Sequence, residues 1–244
     1  MEALILAAGL GTRLGDLTRA TPKALIPVGG VPMLERVATR LIEAGVDRLI
    51  INTHHLADQI ATFVRERDDF GVEVAISHEP DRPLETGGAV RHAAHLFRAD
   101  QPFFIHNADV LTELPLGPLY DRHLEDPPLA TLVVMRRESS RYLLFDDDGL
   151  LGRVDERKDL RIETRRARGA VRQLAFAGIH VVSPEFPRLL TETGAFSIFD
   201  PYLRLAAAGY RIAPYLADAY RWLDIGKPEQ LDQANRLFAS SQGG

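Results

Sequence analysis

Two glycines and two cations near the amino end set the chemistry open to this chain. Residues 4–14 read Leu-Ile-Leu-Ala-Ala-Gly-Leu-Gly-Thr-Arg-Leu, and residues 22–30 read Pro-Lys-Ala-Leu-Ile-Pro-Val-Gly-Gly. An apolar run enters a loop at Gly9 and Gly11 that ends in Arg13, and Lys23 follows about ten residues later between Pro22 and Pro27. Backbone amides left bare by glycine bind phosphate oxygens, and Arg and Lys supply the opposing charge, a combination suited to a nucleoside triphosphate. Three readings compete for the loop. A Rossmann fingerprint needs Gly or Ala where Leu14 stands, a Walker loop needs Gly-Lys-Ser/Thr after its glycines, and a bare strand-to-loop turn needs no ligand. The longer string through Arg13, Lys23 and Pro27 is more specific than any of the three.

The elements that must position these residues alternate. Residues 3–8, 48–52, 72–77, 103–106 and 130–136 read as strands, and residues 33–44, 57–67, 88–97 and 116–124 read as helices by apolar spacing. Repeated β-α units predict a mainly parallel sheet with helices on both faces. Ligands of such sheets sit beyond the carboxyl ends of the strands, where both the Gly-rich loop and Asn107-Ala108-Asp109 fall. After about residue 135 the pattern changes to a hairpin around Asp146–Gly149, a strand at 175–182 containing Gly178, a helix at 199–208, an extended segment at 211–214 and a last helix at 229–238. The second half reads as an insertion layered on the first.

Composition narrows the class. The 244 residues carry a net charge of −5, so any anion site is local and nothing global attracts nucleic acid or an anionic membrane. The absence of cysteine excludes a disulfide framework, thiolate zinc and a cysteine nucleophile. No apolar run approaches twenty residues, and a cytoplasmic enzyme is expected.

From Leu6 to Leu34 the chain closely resembles the signature of the sugar-1-phosphate nucleotidyltransferases, with Asp16 in place of one proline. Glu85-Thr86-Gly87-Gly88-Ala89, Asn107-Ala108-Asp109 and the run from Trp222 to Glu229 resemble later segments of that family, so the likeness extends to about Leu237. By size and motif the N-acetylmuramate-1-phosphate uridylyltransferase and mannose-1-phosphate guanylyltransferase groups look closest. The resemblance implies a Rossmann-like three-layer αβα fold with a mixed, mainly parallel sheet. It also implies one catalytic domain over residues 1–238, with a nucleotide-binding half at 1–135, a sugar-phosphate half at 136–238 and a frayed tail at 239–244. The reaction it implies is transfer of a nucleotidyl group from an NTP to a sugar 1-phosphate with release of pyrophosphate. Mg²⁺ is the expected cofactor, no nucleic acid or membrane partner is expected, and the expected state is a monomer or homodimer. Cytidylyl transfer to a phosphorylated alcohol such as phosphocholine, and a non-catalytic nucleotide-sugar sensor, are the alternatives.

Roles follow from the resemblance. Arg13 takes the β- and γ-phosphates, and Lys23 bridges the α-phosphate and the incoming sugar phosphate. Asp109 and Asp224, 115 positions apart, hold Mg²⁺; the plain alternative for each is a cap on a turn or helix. Ala7, Ala8, Gly9, Gly11, Thr12, Asn107, Gly87 and Gly88 are nucleotide contacts. Glu79 or its neighbour His78 meets the base edge or lies at the rim. Glu156 and Gly178 are the sugar-side candidates, with Glu163 as the alternative carboxylate, and Arg141-Tyr142 either reaches the sugar phosphate or stays in a solvated hairpin. His92 and His95, with His54 and His55, lack an acidic partner at helical spacing and read as surface. The basic run Arg161, Arg165, Arg166, Arg168 and Arg172 has no interleaved aromatics and reads as a mobile, solvated loop. Residues 146–148 read as an ordinary turn.

Overall fold

Apolar runs of five or six residues become strands, and amphipathic runs of ten become helices. The computed structural model describes residues 1–98 and 100–239. In chain order the elements are β1 (Glu2–Leu6), β2 (Pro27–Val28), β3 (Val31–Pro32), α1 (Met33–Glu43), β4 (Arg48–Thr53), α2 (Ala57–Glu66), β5 (Glu73–His78) and α3 (Glu85–His92). There follow β6 (Phe103–Asn107), β7 (Val110–Thr112), α4 (Leu116–Glu125), β8 (Ala130–Met135), β9 (Arg141–Asp146), β10 (Gly149–Asp155) and β11 (Leu160–Glu163). The last are β12 (Arg172–Val182), α5 (Phe199–Ala207), β13 (Ile212–Leu216), β14 (Trp222–Asp224) and α6 (Pro228–Ala239). Of the expected tail, Ala239 closes α6 and residues 240–244 lie outside the described residues. The helix expected at 88–97 starts earlier, at Glu85, and tightens to a 3₁₀ turn over Ala93–Leu96. Among the described residues no helix is long and apolar enough to cross a membrane.

The chain divides into two compact units. Unit 1 comprises residues 1–83, 106–116 and 221–244, and unit 2 comprises residues 84–105 and 117–220. In unit 1, β1 pairs in parallel with β4, and β4 with β5. Leu4, Ile5, Leu49, Ile50 and Ile51 are fully buried, the continuous apolar run that a strand covered on both faces requires. Helix α1 buries Met33, Leu34, Val37, Ala38 and Leu41 on one stripe and stops at Gly45, whose φ of 95° no β-carbon favours. A second cluster packs Ile26, Val28 and Met33 against Leu111, Ile225, Leu231 and Ala234, joining β2, β7 and α6.

In unit 2 the predicted hairpin is β9–β10, and β12 runs antiparallel to both β9 and β8. The β12–β8 register breaks between Phe176 and His180, and Gly178 sits in that irregularity with φ of 81°. A bulge with a left-handed residue is the position where glycine costs least. Residues 147–148 form the expected turn between β9 and β10, and Arg166 and Arg168 are exposed in the expected loop, but Asp146 and Arg165 depart from both readings. Asp146 is buried, and its carboxylate accepts two hydrogen bonds from Arg165, at 2.5 and 2.7 Å, and one from each of the Arg168 and Asp148 N–H groups. The Arg165 guanidinium holds this carboxyl well below the usual range, against the opposing effect of burial. Arg161 belongs to β11. The counter-charge was hidden because it lies far along the chain from the run it anchors.

Two histidines make stability pH-dependent. Burial pushes His106 down to about 4, and burial with the nearby Arg211 brings His123 to about the same value. The His123 Nδ1 meets the Thr131 hydroxyl at 2.9 Å. A histidine depressed on folding stabilises the native state fully above its unfolded value, about 6.5, and loses that contribution as pH falls toward the folded value. The urea midpoint is therefore expected to fall between pH 7 and pH 5, and to fall less in His123→Gln. Equal midpoints at the two pH values would contradict the assignment. The Asp146 pair does not confuse this window, because its contribution is lost only as pH falls through the unfolded carboxyl value, about 3.9, and below it.

Candidate active site

The loop expected to bind phosphate begins where β1 ends. Ala7 keeps the strand register through its N–H to the Asn52 carbonyl at 3.0 Å, and the chain then turns through Ala8, Gly9 and Leu10. Gly11 has φ of 65°, and a β-carbon there would lie 2.7 Å from Thr18 Cγ2 and 3.1 Å from Lys23 Cβ. Conformation and space both require glycine at this point. Thr12–Thr18 forms a 3₁₀ stretch with a break at Gly15, anchored by buried Leu14. The Thr18 hydroxyl donates to the Gly11 carbonyl at 3.0 Å and lies 3.2 Å from that of Gly15. Gly9 differs, since nothing lies within 4 Å of its missing β-carbon and its φ is not positive. Its lack of a side chain leaves the backbone open to solvent. Thr12 and Arg13 are exposed, and no carboxylate among the described residues pairs with Arg13.

Lys23 sits in a 3₁₀ turn, Lys23–Leu25, set up by the extended Pro22. Its ammonium forms an ion pair with Asp109. Asp109 occupies the turn between β6 and β7, where the Ala108 N–H donates to the Leu6 carbonyl at 3.1 Å and brings that turn beside the end of β1. Strands β7 and β14 then form a three-residue antiparallel ribbon that places Asp224 opposite Val110, and the Ile225 N–H donates to the Asp109 carbonyl at 3.0 Å. The two residues expected as metal ligands are thus adjacent along the backbone of the fold. The Asp224 Oδ1 is buried with no hydrogen-bond partner. Leaving a buried carboxylate oxygen bare is costly, and a bound cation removes that cost.

Glu79 follows β5. It is 1% exposed, so it is no rim residue. Its N–H donates to the Thr53 carbonyl at 2.8 Å, its carbonyl meets His54 Nδ1 at 2.6 Å, and its carboxylate accepts from the Asn52 amide at 2.7 Å. His78 points outward and is exposed. Asn107 ends β6, half-buried, with its carbonyl 2.8 Å from His106 Nδ1. Unit 1 therefore brings together Ala7, Ala8, Gly9, Gly11, Thr12, Arg13, Lys23, Asp109 and Asp224, with Glu79 and Asn107 at the carboxyl ends of their strands.

Unit 2 holds the remaining candidates. The missing β-carbon of Gly87 would fall 2.4 Å from the Phe196 ring, and that of Gly88 would fall 2.7 Å from the Gly194 carbonyl. Both glycines thus let α3 approach the 194–196 segment, and the Gly87 N–H is donated to the Phe196 carbonyl at 2.9 Å. Gly178 lies in the β12 bulge. Glu156 is exposed in a 3₁₀ turn capped by Asp155, and Glu163 is paired with Arg161 on β11. The Tyr142 hydroxyl accepts the Ser139 N–H at 2.8 Å, which fixes the start of the hairpin.

Sequence reasoning missed Thr18 and Asn52. Thr18 gave no signal, because its partners are loop carbonyls. Asn52 could have been found, as a polar residue closing an apolar parallel strand at its ligand-facing end. The contrast between the two loop glycines is testable. Gly11→Ala is expected to lower stability by about 1–2 kcal/mol, while Gly9→Ala stays within about 0.5 kcal/mol of the parent and weakens triphosphate binding. Urea denaturation and nucleotide titration of both variants measure this; equal stability losses would refute the division of roles.

The chain is similar to known proteins along nearly its whole length. A Nucleotidyl transferase family model matches residues 2–241. An N-acetylmuramate alpha-1-phosphate uridylyltransferase of Caulobacter vibrioides is 32% identical over 231 residues, covering 93% of this chain and 92% of the relative. A mannose-1-phosphate guanylyltransferase catalytic subunit beta of Drosophila pseudoobscura is 30% identical over 98% of this chain, which spans 63% of that longer protein. The fold matches a UDP-glucose pyrophosphorylase from Acinetobacter baumannii with a TM-score of 0.77 at 19% identity, over 99% of this chain and 94% of that one. The expected three-layer fold with its mixed, mainly parallel sheet is the fold observed, and the chain belongs to the nucleotidyl transferase family.

Proposed function

We propose that this chain joins a nucleoside triphosphate to a sugar 1-phosphate, giving a nucleotide sugar and pyrophosphate, with uridylyl transfer as the preferred form. The observation that carries the reading is the convergence of Asp109, Asp224 and Lys23 beside the Gly9–Arg13 loop. The uridylyl preference rests on the relative that matches over nearly the whole length of both chains. On this reading residues 1–238 act as one catalytic domain.

The reaction is attack by a sugar-phosphate oxygen on the α-phosphorus. One P–O bond forms to that oxygen while the bond to the pyrophosphate oxygen breaks in line. The attacking phosphate has a second pKa near 6 and is largely ionised at neutral pH, so no residue needs to remove a proton. The difficulty is repulsion between two anions, and catalysis consists of positioning and charge stabilisation. The open backbone at Gly9 and the unpaired Arg13 guanidinium bind the β- and γ-phosphates, where negative charge grows as pyrophosphate leaves. Lys23 neutralises the α-phosphate and the incoming phosphate. Asp109 and Asp224 fit Mg²⁺, which takes one or two protein carboxylates and fills its other positions with phosphate oxygens and water. The bare Asp224 Oδ1 is the supporting feature. When bound, the ion supplies positive charge to the reacting phosphate oxygens. Glu79, held by Asn52, is the proposed base contact, Gly87 and Gly88 are further nucleotide contacts, and Glu156 and Gly178 are sugar contacts.

A panel of four triphosphates against several sugar 1-phosphates, read by pyrophosphate release, tests the reading. UTP with an N-acetylated sugar 1-phosphate is expected to give the fastest release. Binding of nucleotide sugar with no release from any pair would overturn it. Lys23→Ala is expected to lower kcat by about 10²–10³-fold with the fold intact, and Asp109→Asn and Asp224→Asn to raise the Mg²⁺ concentration needed for half-maximal rate.

A further inference from the structure

We propose that Gly226 is a positioning residue for Arg13: it is glycine because the Arg13 guanidinium occupies the space of its side chain. A β-carbon at Gly226 would lie 2.9 Å from Arg13 Nη2 and 3.4 Å from Arg13 Cζ, while Gln230 Oε1, at 3.5 Å, is at ordinary contact distance. The backbone gives no other reason for glycine, since Gly226 has no positive φ. Gly226 is itself buried, so the guanidinium lies against the turn that directly follows Asp224 and Ile225. With no carboxylate holding it, Arg13 is aimed by this contact surface. The loop cation and the carboxylate ribbon are thereby set in one register, 213 positions apart in sequence. The proposal rests on the reading of Arg13 as a triphosphate ligand.

A double-mutant cycle tests it. Gly226→Ala places a methyl against the movable end of a long side chain, so its thermal midpoint is expected to match the parent. Its KM for the triphosphate is expected to rise about tenfold, comparable to loss of one charge-assisted hydrogen bond. In an Arg13→Ala background the same substitution is expected to change nothing. A parental KM for Gly226→Ala, or a full penalty that persists without Arg13, would overturn the proposal. An Arg13→Ala variant with parental KM would instead remove the role given to Arg13.

A separate observation carries a second inference. We infer that Lys23 holds the metal site closed until the triphosphate arrives. Its ammonium is paired with Asp109 Oδ2, while the neighbouring Asp224 Oδ1 is buried and bare. The site thus has one carboxylate already neutralised and one awaiting charge. A divalent ion entering alone would meet a fixed positive charge beside it, which strongly disfavours binding in a partly desolvated site. A triphosphate changes the balance, because it offers the flexible lysine stem another anion and frees Asp109. Cation and triphosphate therefore enter together. This inference rests on the assignment of Asp109 and Asp224 as the ligands.

Electron paramagnetic resonance of Mn²⁺ titrated into the nucleotide-free protein tests it without any turnover. Lys23→Met and Lys23→Gln are expected to bind Mn²⁺ at least about tenfold more tightly than the parent, the low end of what one adjacent unit charge does to a carboxylate. Adding Asp109→Asn to Lys23→Met is expected to abolish the gain. Folded Lys23 variants that bind Mn²⁺ no better than the parent would overturn the exchange. A gain that survives Asp109→Asn would instead remove Asp109 as a ligand.

Discussion

The ribbon formed by β7 and β14 is the constraint on which the rest of the site depends. Three residues on each side, paired antiparallel, bring Asp224 beside the turn that carries Asp109. The two loop cations are arranged around that meeting. Lys23 rests on Asp109, and Arg13 lies against the turn after Asp224. The hydrophobic cluster beneath it supports both strands, through Leu111 on β7 and Ile225 just after β14. A short ribbon has few hydrogen bonds of its own, so its register depends on this packing and on the Ile225–Asp109 backbone bond.

Such an arrangement suits a reaction whose obstacle is charge. Two phosphate-bearing reactants repel each other, and no side chain need act as a base once the attacking group is ionised. What the protein must supply is fixed positive charge and an open backbone, with carboxylates placed to hold a cation. Gly9 and Gly11 divide the loop's work accordingly. One keeps space open, and the other permits a conformation that Thr18 then locks.

Much of this was legible in the sequence, and the exceptions have physical causes. The residues from Leu6 to Leu34 carry their meaning in type and spacing, so the family and the place of the glycine loop at the end of β1 could be read directly. Long amphipathic runs such as α1 and buried runs such as β4 also show themselves by periodicity. The β7–β14 ribbon does not, because three residues are too few for a period and their partner lies more than a hundred positions away. Asp146 and Arg165 failed for a related reason. Each looked solvated within its own local run, and only the fold brings them together, with the carboxylate buried. Gly87 and Gly88 were recognised as special, but their tight packing against the 194–196 segment gives a second reason for glycine that spacing alone cannot reveal.

The most direct test of the central claim uses the two diastereomers of a triphosphate carrying sulfur on the α-phosphorus. If Asp109 and Asp224 hold a cation against an α-phosphate oxygen, the preferred diastereomer with Mg²⁺ should reverse when Cd²⁺ replaces it, because the softer ion favours sulfur. Asp224→Asn should weaken that reversal. An unchanged preference with both ions would mean that no cation held by these carboxylates touches the reacting phosphate, and the account would fail.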